Sequence, residues 1–378
     1  MVFAPEEPLI EEPLAEQPFI DDKLNELKNK IELKEREEFS SEAGPNAADP
    51  LPYLYPNLND PNFNINIAQR KEFHDTQYDG EVKDVEAEAD IMCNADFELA
   101  PHQLFVRNFL SFQTPYNSLL LYHGLGSGKT CSAISIAEEM RDYLIQMNIS
   151  NRIIIVASPN VQENFKLQLF DERKLQLIDG LWQSRSCTGN KFLKEINPMN
   201  MKGLQKDTIV AQVKRIINTH YLFLGYTEFA NYIKKKSAIS EDITDPKKRS
   251  ALIRNKLRQS FSNRLIIIDE VHNIRIADDN AEKKKVAQEL FKLVKYADNL
   301  RLLFLSATPM YNSYKEIVWL VNIMNLNDRR STIEIKDVFN ADGTFRTSPS
   351  GEPIGRDLLE RKATGYISMC AWRLIFLW

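Results

Sequence analysis

The sequence predicts an α/β protein built on a mainly parallel sheet, and three segments carry that prediction. Residues 119–122 are apolar (Leu-Leu-Leu-Tyr) and break into a glycine-rich turn that ends in Gly128-Lys129-Thr130. Leu265 to Ile268 form a short, largely β-branched run suited to a strand buried on both faces, with Asp269 at its carboxyl end. Leu302 to Leu305 then run into Ser306-Ala307-Thr308, 37 residues after Asp269, the right distance for one helix and one further strand.

Each segment has a chemical reading. An apolar strand feeding a Gly/Ser turn leaves a row of backbone N–H groups convergent, and a helix beginning at Gly128-Lys129-Thr130 adds its positive end. Gly124, Gly126, Ser127 and Gly128 thus form a phosphate cradle, Lys129 reaches the β/γ-phosphates of a nucleotide, and the Thr130 hydroxyl ligates Mg²⁺. The strict spacing of such loops wants a glycine at 123, where this chain has His123; the shorter core is the form found in helicase-type motors. Asp269, at the end of a parallel strand where open sheets place ligand groups, holds Mg²⁺ through water, and Glu270 polarises the attacking water. A core strand ending in two solvated acids is the bland alternative, and the order of the three segments argues against it.

These residues carry a resemblance. Gly-Ser-Gly-Lys-Thr at 126–130, Asp-Glu-Val-His at 269–272 and Ser-Ala-Thr at 306–308 resemble motifs I, II and III of a superfamily 2 helicase or nucleic-acid translocase. Leu99-Ala-Pro-His-Gln103, followed by Phe105, Phe109 and Leu110, resembles the segment whose glutamine reads adenine, although it could equally open an amphipathic helix. Ile153 to Pro159 resembles motif Ia, and Gly225 to Phe229 falls where motif Ib is met. The fuller wording at 116–130, 269–273 and 306–310 is similar to the helicases of nucleocytoplasmic large DNA viruses. These are related to the poxvirus early transcription factor small subunit and nucleoside triphosphate phosphohydrolase I. The resemblance covers residues 95–368 and implies a RecA-like lobe that hydrolyses ATP with Mg²⁺ while moving on DNA or RNA. Lys129, Asp269 and Glu270 are then catalytic, Gln103 reads adenine, and His272, Ser306, Ala307 and Thr308 couple nucleotide state to nucleic-acid contacts. The viral transcription machinery is an implied partner, and the host cytoplasm, at viral factories, or the virion is the implied location.

Composition fits a globular chain, with 43% apolar and 27% charged residues among 378. The net charge of −5 hides an asymmetry: residues 1–100 hold 25 acids and 8 bases, leaving 28 acids and 40 bases for the rest. The body is basic, as a chain that grips phosphate backbones should be. The acidic front, 1–94, is expected to be largely disordered, being Pro-rich at 1–20 and rich in Pro, Asn and Asp at 43–65, with a single helix expected over Asp21–Phe39. No secretory signal opens the chain, and no apolar stretch of about 18 residues would span a membrane. Cys93, Cys131, Cys187 and Cys370 lack paired spacing, so neither a zinc site nor a disulfide is expected, and the chain reads as one for a reducing compartment. His123, beside the loop, is expected to be structural. The lysine and arginine runs 234–236, 247–249 and 283–285 read as solvated faces more than as contacts.

The helicase domain is expected over 95–335, followed by a linker and aberrant terminus over 336–378. Gly355-Arg356 lacks the neighbours of motif VI, and the ending Met369 to Trp378 reads as an out-of-frame tail, which makes the chain the first lobe of a longer motor whose second lobe would supply motifs IV to VI. Two other readings stay open: a non-catalytic ATP- and nucleic-acid-binding fragment, and a P-loop NTPase of another family such as a terminase or an AAA+ protein.

Overall fold

The computed structural model describes residues 54–78, 98–124, 126–240, 243, 245–274, 281–310, 313–371 and 374–377, with the side chains of 281–283 and 370–377 excepted. The helix expected over Asp21–Phe39, Leu125 of the loop and Cys93 lie outside these residues.

Seven strands form the main sheet: β1 (Ser118–His123), β2 (Ile153–Val156), β5 (Tyr221–Leu224), β6 (Arg264–Ile268), β7 (Leu300–Ser306), β8 (Ile367–Ala371) and β9 (Leu374–Leu377). Their order is β5-β2-β6-β7-β1-β8-β9, parallel throughout except for β9, which pairs antiparallel with β8. A separate hairpin, β3 (Leu175–Ile178) and β4 (Leu181–Ser184), turns through Asp179-Gly180, both at positive φ, as a two-residue loop between right-twisted strands requires.

The central strands read as nearly unbroken apolar runs because both their faces are covered. Leu119, Leu121, Ile153, Ile155, Leu265, Ile267, Leu303 and Leu305 join one core cluster. On that side lie α3 (Pro101–Phe109), α4 (Lys129–Gln146), α5 (Pro159–Leu169), α6 (Lys191–Ile196) and α7 (Lys206–His220), through residues such as Phe109, Ala137, Phe165, Phe192 and Val213. The alternate residues Leu120, Ile154, Ile266, Leu302 and Phe304, pointing the other way, are equally buried. A second row of helices, α8 (Tyr226–Ser237), α9 (Pro246–Phe261), α10 (Ala281–Tyr296) and α11 (Lys315–Asn327), packs side by side and buries Phe229, Ile233, Phe261, Leu290, Leu293 and Val321.

Two segments depart from the sequence expectation. Within the acidic front, residues 54–78 are folded: α1 (Phe63–Ala68) and α2 (Lys71–His74) bring Tyr55, Phe63, Ile67 and Phe73 into the core cluster beside Phe109 and Tyr116. Tyr55, Phe63, Ile67 and Phe73 fall at no regular spacing among many polar residues, so only the aromatic pocket on α3 reveals them. At the other end, α12 (Ile335–Val338) and α13 (Ile354–Ala363) lead into β8, which lies in register on β1 (Leu120 opposite Ile367, His123 opposite Cys370). Part of the segment assigned to a linker is thus a strand of the sheet, because the free edge of β1 offers backbone groups that need partners. Among the described residues, no helix is long and apolar enough to cross a membrane.

Candidate nucleotide site

The glycine-rich loop follows the carboxyl end of β1 and opens α4. Gly126 (φ +77) and Gly128 (φ +76) both adopt the left-handed conformation that the reversal into the helix needs, and a Cβ on Gly128 would meet Gln103 Nε2 at 2.5 Å. Ser127 Oγ donates to Gly124 O at 2.8 Å. The Lys129 ammonium donates to the carbonyls of His123 (2.8 Å) and Gly124 (3.0 Å). Burial lowers its pKa, against the opposing charges of Glu270 and Asp269, so the lysine faces both acids.

Two residues of α3 brace this loop. Gln103 is buried; its Oε1 accepts from Ala100 N (3.0 Å) and its Nε2 donates to Gly128 O (3.3 Å). Both ends of the amide that the sequence links to adenine are therefore engaged with the helix start and the loop. His102, which the sequence reading passed over, places Nε2 2.9 Å from Ser127 O and Nδ1 2.9 Å from the Tyr78 hydroxyl. Its position beside Gln103 was the only available signal. His123 is fully buried, with Nε2 3.0 Å from Ser368 Oγ, and burial followed by the charges of His102 and Lys129 depresses its pKa to about 3. It is a neutral core residue on β1.

Asp269 and Glu270 come at the carboxyl end of β6, two strands from β1. Asp269 N donates to Val156 O (3.0 Å) and its carbonyl accepts from Tyr226 Oη (2.8 Å), which ties it to the start of α8. Asn273 Nδ2 in turn donates to that hydroxyl (3.3 Å). Burial, then the charge of Glu270, raises the Asp269 carboxyl from 3.8 to about 6, outweighing the backbone hydrogen bond from Glu270 and the pull of Lys129. Glu270 holds φ +44, a strained backbone for a side-chain-bearing residue. Its Oε2 lies 3.1 Å from His272 Nδ1 and 3.5 Å from Ser306 Oγ; the latter also accepts from Thr308 N at 3.0 Å. His272 Nδ1 and Ser306 Oγ are 3.3 Å apart. Ser306 is buried, Ala307 half-buried and Thr308 exposed. Motif II and motif III thus touch through side chains that lie 34 to 36 residues apart.

Two features of α4 were absent from the sequence reading. The expectation of no disulfide is corrected: Cys131, directly after Thr130, is bonded to Cys187 across 56 residues, with Cα atoms 5.3 Å apart. No local spacing announces it, because the hairpin and the loop after it bring Cys187 back to α4. Further along α4, the buried Glu138 carboxylate receives Arg141 (2.9–3.1 Å), Lys191 (3.0 Å) and the Tyr221 hydroxyl. Burial pushes its pKa up, but Lys191 and Arg141 prevail and hold it below the usual value.

The profile of the SNF2-related domain family matches residues 102–342, which span this loop, both acids and the Ser-Ala-Thr segment. The chain belongs to the SNF2-related domain family. Among its viral relatives is a protein of Acanthamoeba polyphaga mimivirus that bears the provisional name ATP-dependent RNA helicase L377. It is 27% identical over 297 residues, which cover 74% of this chain and 23% of the relative. Helicase 087L of Invertebrate iridescent virus 3, also provisionally named, is 25% identical over 78% of this chain and 26% of its own length. An African swine fever virus protein named early transcription factor large subunit homolog is 24% identical over 59% of this chain and 23% of its own. The chain therefore spans about a quarter of the length of these relatives. The transcription-factor relative carries the name of the large subunit, where the wording of the motifs suggested the small one. As an SNF2-related domain, the chain has the helicase-type ATPase fold that the three motifs imply.

Proposed function

We propose that this SNF2-related domain is the nucleotide-binding lobe of a motor that couples ATP hydrolysis to movement along DNA or RNA during viral transcription or replication. The observation that carries the reading is that the glycine-rich loop with Lys129 and the Asp269-Glu270 pair follow the carboxyl ends of β1 and β6, two strands apart in one parallel sheet. The donor set fits Mg²⁺ and a polyphosphate. Lys129 spends its charge on loop carbonyls, which a phosphate would replace with advantage, and Asp269 is a half-buried carboxylate whose ionised form lacks a full counter-charge.

In this reading Gly124, Gly126, Ser127 and Gly128 hold the phosphates by their backbone, and Lys129 binds the β/γ-phosphates. Thr130 and Asp269 would hold Mg²⁺. When bound, Mg²⁺ supplies positive charge that offsets the charge developing on the transferred phosphoryl group. Glu270 orients the attacking water, and His272 and Ser306 keep its carboxylate aimed. Because Ser306 also caps the Thr308 N–H, rearrangement of Glu270 on loss of the γ-phosphate would be felt by the Ala307–Thr308 segment, and through it by bound nucleic acid. Gln103, resting on Gly128, would report on adenine to the loop. The names of the mimivirus and African swine fever virus relatives, an RNA helicase and an early transcription factor subunit, support a role in viral nucleic-acid transactions.

Lys129→Ala tests the assignment. Nucleotide affinity should fall by more than tenfold with the melting temperature unchanged, since the lysine leans on the loop without filling core space; labelled-ATP binding at the level of the unaltered chain would overturn it.

A further inference from the structure

Helix α9 is oddly built for a helix that only connects two strands. It carries Lys247, Lys248, Arg249, Arg254, Lys256 and Arg258 and not a single acid between Pro246 and Phe261. Three of those cations occupy its first turns, the end where the helix dipole disfavours positive charge, and within the helix and its cap only Asp245 opposes them. Leu257 and Phe261 are its only buried residues, so the stretch 246–252 is anchored by neither packing nor charge and is exposed throughout. The adjoining end of α8 adds Lys234, Lys235 and Lys236, also exposed. Lys256 bridges the two helices by donating to Ala238 O. Over 234–258 the chain holds nine bases against three acids. Among the described residues, Lys234–Lys236, Lys247–Arg249 and Lys256 form no ion pair, whereas Arg258 is neutralised by Asp298.

This surface is distinct from the nucleotide site. α8 leaves the carboxyl end of β5 and runs back, and α9 ends two residues before β6 begins. Ser262 and Asn263 are bonded to Asn151 and Asp298, just ahead of β2 and β7. The cluster therefore lies at the amino edge of the parallel sheet, while the phosphate loop lies at the carboxyl edge, about 17 Å away for a five-residue strand.

We propose that the exposed basic surface formed by the end of α8 and the first turns of α9 is a second nucleic-acid contact, gripping the phosphate backbone independently of sequence and away from the motor motifs. It rests on the preceding reading only in taking nucleic acid as the polyanion. A phosphate backbone is what this geometry fits: point charges spaced along one exposed helix, without a pocket, match a line of phosphates rather than a compact anion. It would let the domain stay on its track while the nucleotide site opens and closes.

The full chain carrying Lys247→Ser, Lys248→Ser and Arg249→Ser together tests this without touching the site. Binding of labelled duplex DNA, single-stranded DNA and RNA is followed by fluorescence anisotropy across a salt titration from about 50 to 200 mM. The slope of log affinity against log salt should shrink by about 2–3 in magnitude, and affinity at the lowest salt should fall about tenfold or more, while ATP binding and melting temperature hold. The charge-conserving triple Lys247→Arg, Lys248→Arg, Arg249→Lys should restore the slope. Unchanged slope and affinity in the serine triple overturn the proposal. So does a variant that loses affinity for polyglutamate yet keeps it for nucleic acid, which would assign the surface to an acidic protein. In Lys129→Ala the slope should match that of the unaltered chain, so failure of the ATP site and failure of this surface are read separately.

Discussion

Glu138, buried on the inner face of α4, and Asp269, half-buried at the end of β6, are both carboxylates partly or wholly withdrawn from water, yet their protons respond in opposite directions. Glu138 is surrounded by Arg141, Lys191 and Tyr221, and its pKa is held down. Asp269 has Glu270 beside it, and a backbone hydrogen bond from Glu270 with the charge of Lys129 does not offset the loss of solvent, so its pKa rises to about 6. The first charge is answered by the protein itself and is structural. The second is left partly unanswered, and a fold keeps such a group where a ligand completes the balance. The same contrast separates Arg258, paired with Asp298, from Lys247 and Lys248, which form no ion pair among the described residues.

The comparison is broken most severely by removing the answered charge. Glu138→Ala leaves Arg141 buried (1% exposed) without its main partner and should cost about 3–5 kcal/mol in denaturant unfolding. A loss under about 1 kcal/mol would mean that Glu195, already 2.9 Å from the Arg141 guanidinium, suffices as its partner and that Glu138 is not structural. Because its folded pKa lies below the ordinary 4.5, this contribution is present above that pH and fades as acid is added; Glu138→Gln should flatten the acid limb of the stability curve.

Reduction of Cys131–Cys187 comes next. The bond closes a 56-residue separation, and freeing that loop in the unfolded chain should lower stability by up to about 4 kcal/mol. Equal unfolding curves with and without a thiol reductant would show that the two sulfurs pack in contact without contributing a constraint.

Asp269→Asn inverts the sign. The folded-state pKa is raised from 3.8 to about 6, so the folded protein binds the proton more tightly, and stability declines as pH rises from about 4 to 6. The neutral amide should therefore stabilise the ligand-free chain at pH 7 by up to about 3 kcal/mol, with the advantage gone at pH 4, while Mg²⁺-dependent hydrolysis disappears. In the unaltered chain, Mg²⁺ affinity should weaken as pH drops through about 6, since the proton competes for the same oxygens. Isothermal titration across pH 5–8 checks this, and a flat profile would remove Asp269 from the metal site.

The smallest effect is expected at Ser306→Ala. It should change stability by less than about 1 kcal/mol and leave ATP binding intact, while single-turnover hydrolysis slows on the order of tenfold because Glu270 loses one of its two orienting partners. Unaltered hydrolysis would leave His272 as the residue that aims Glu270.

Much of the arrangement of the candidate site was legible in the sequence. Gly-Ser-Gly-Lys-Thr and Asp-Glu-Val-His each follow an apolar strand, so local chain order already dictates that backbone amides, a lysine and two acids meet at one edge of a parallel sheet. The residues that steady them were not legible. His102 on the loop, Tyr226 on the Asp269 carbonyl and Tyr221 on Glu138 act through contacts 25, 43 and 83 residues apart, and nothing in the spacing of common residue types marks such pairs.

The sequence by itself therefore determined the α/β class, the central parallel strands and which residues stand at their carboxyl ends, because strand periodicity and turn composition act over a few residues. Tertiary structure decided what depends on distant partners. It took Tyr55, Phe63 and Phe73 into the core, added β8 to the free edge of β1 and joined Cys131 to Cys187. It also set the opposite charge states of Glu138 and Asp269. A side chain's hydration and its pKa are fixed by what surrounds it in space, and those neighbours are assembled only when the sheet closes between its two layers of helices.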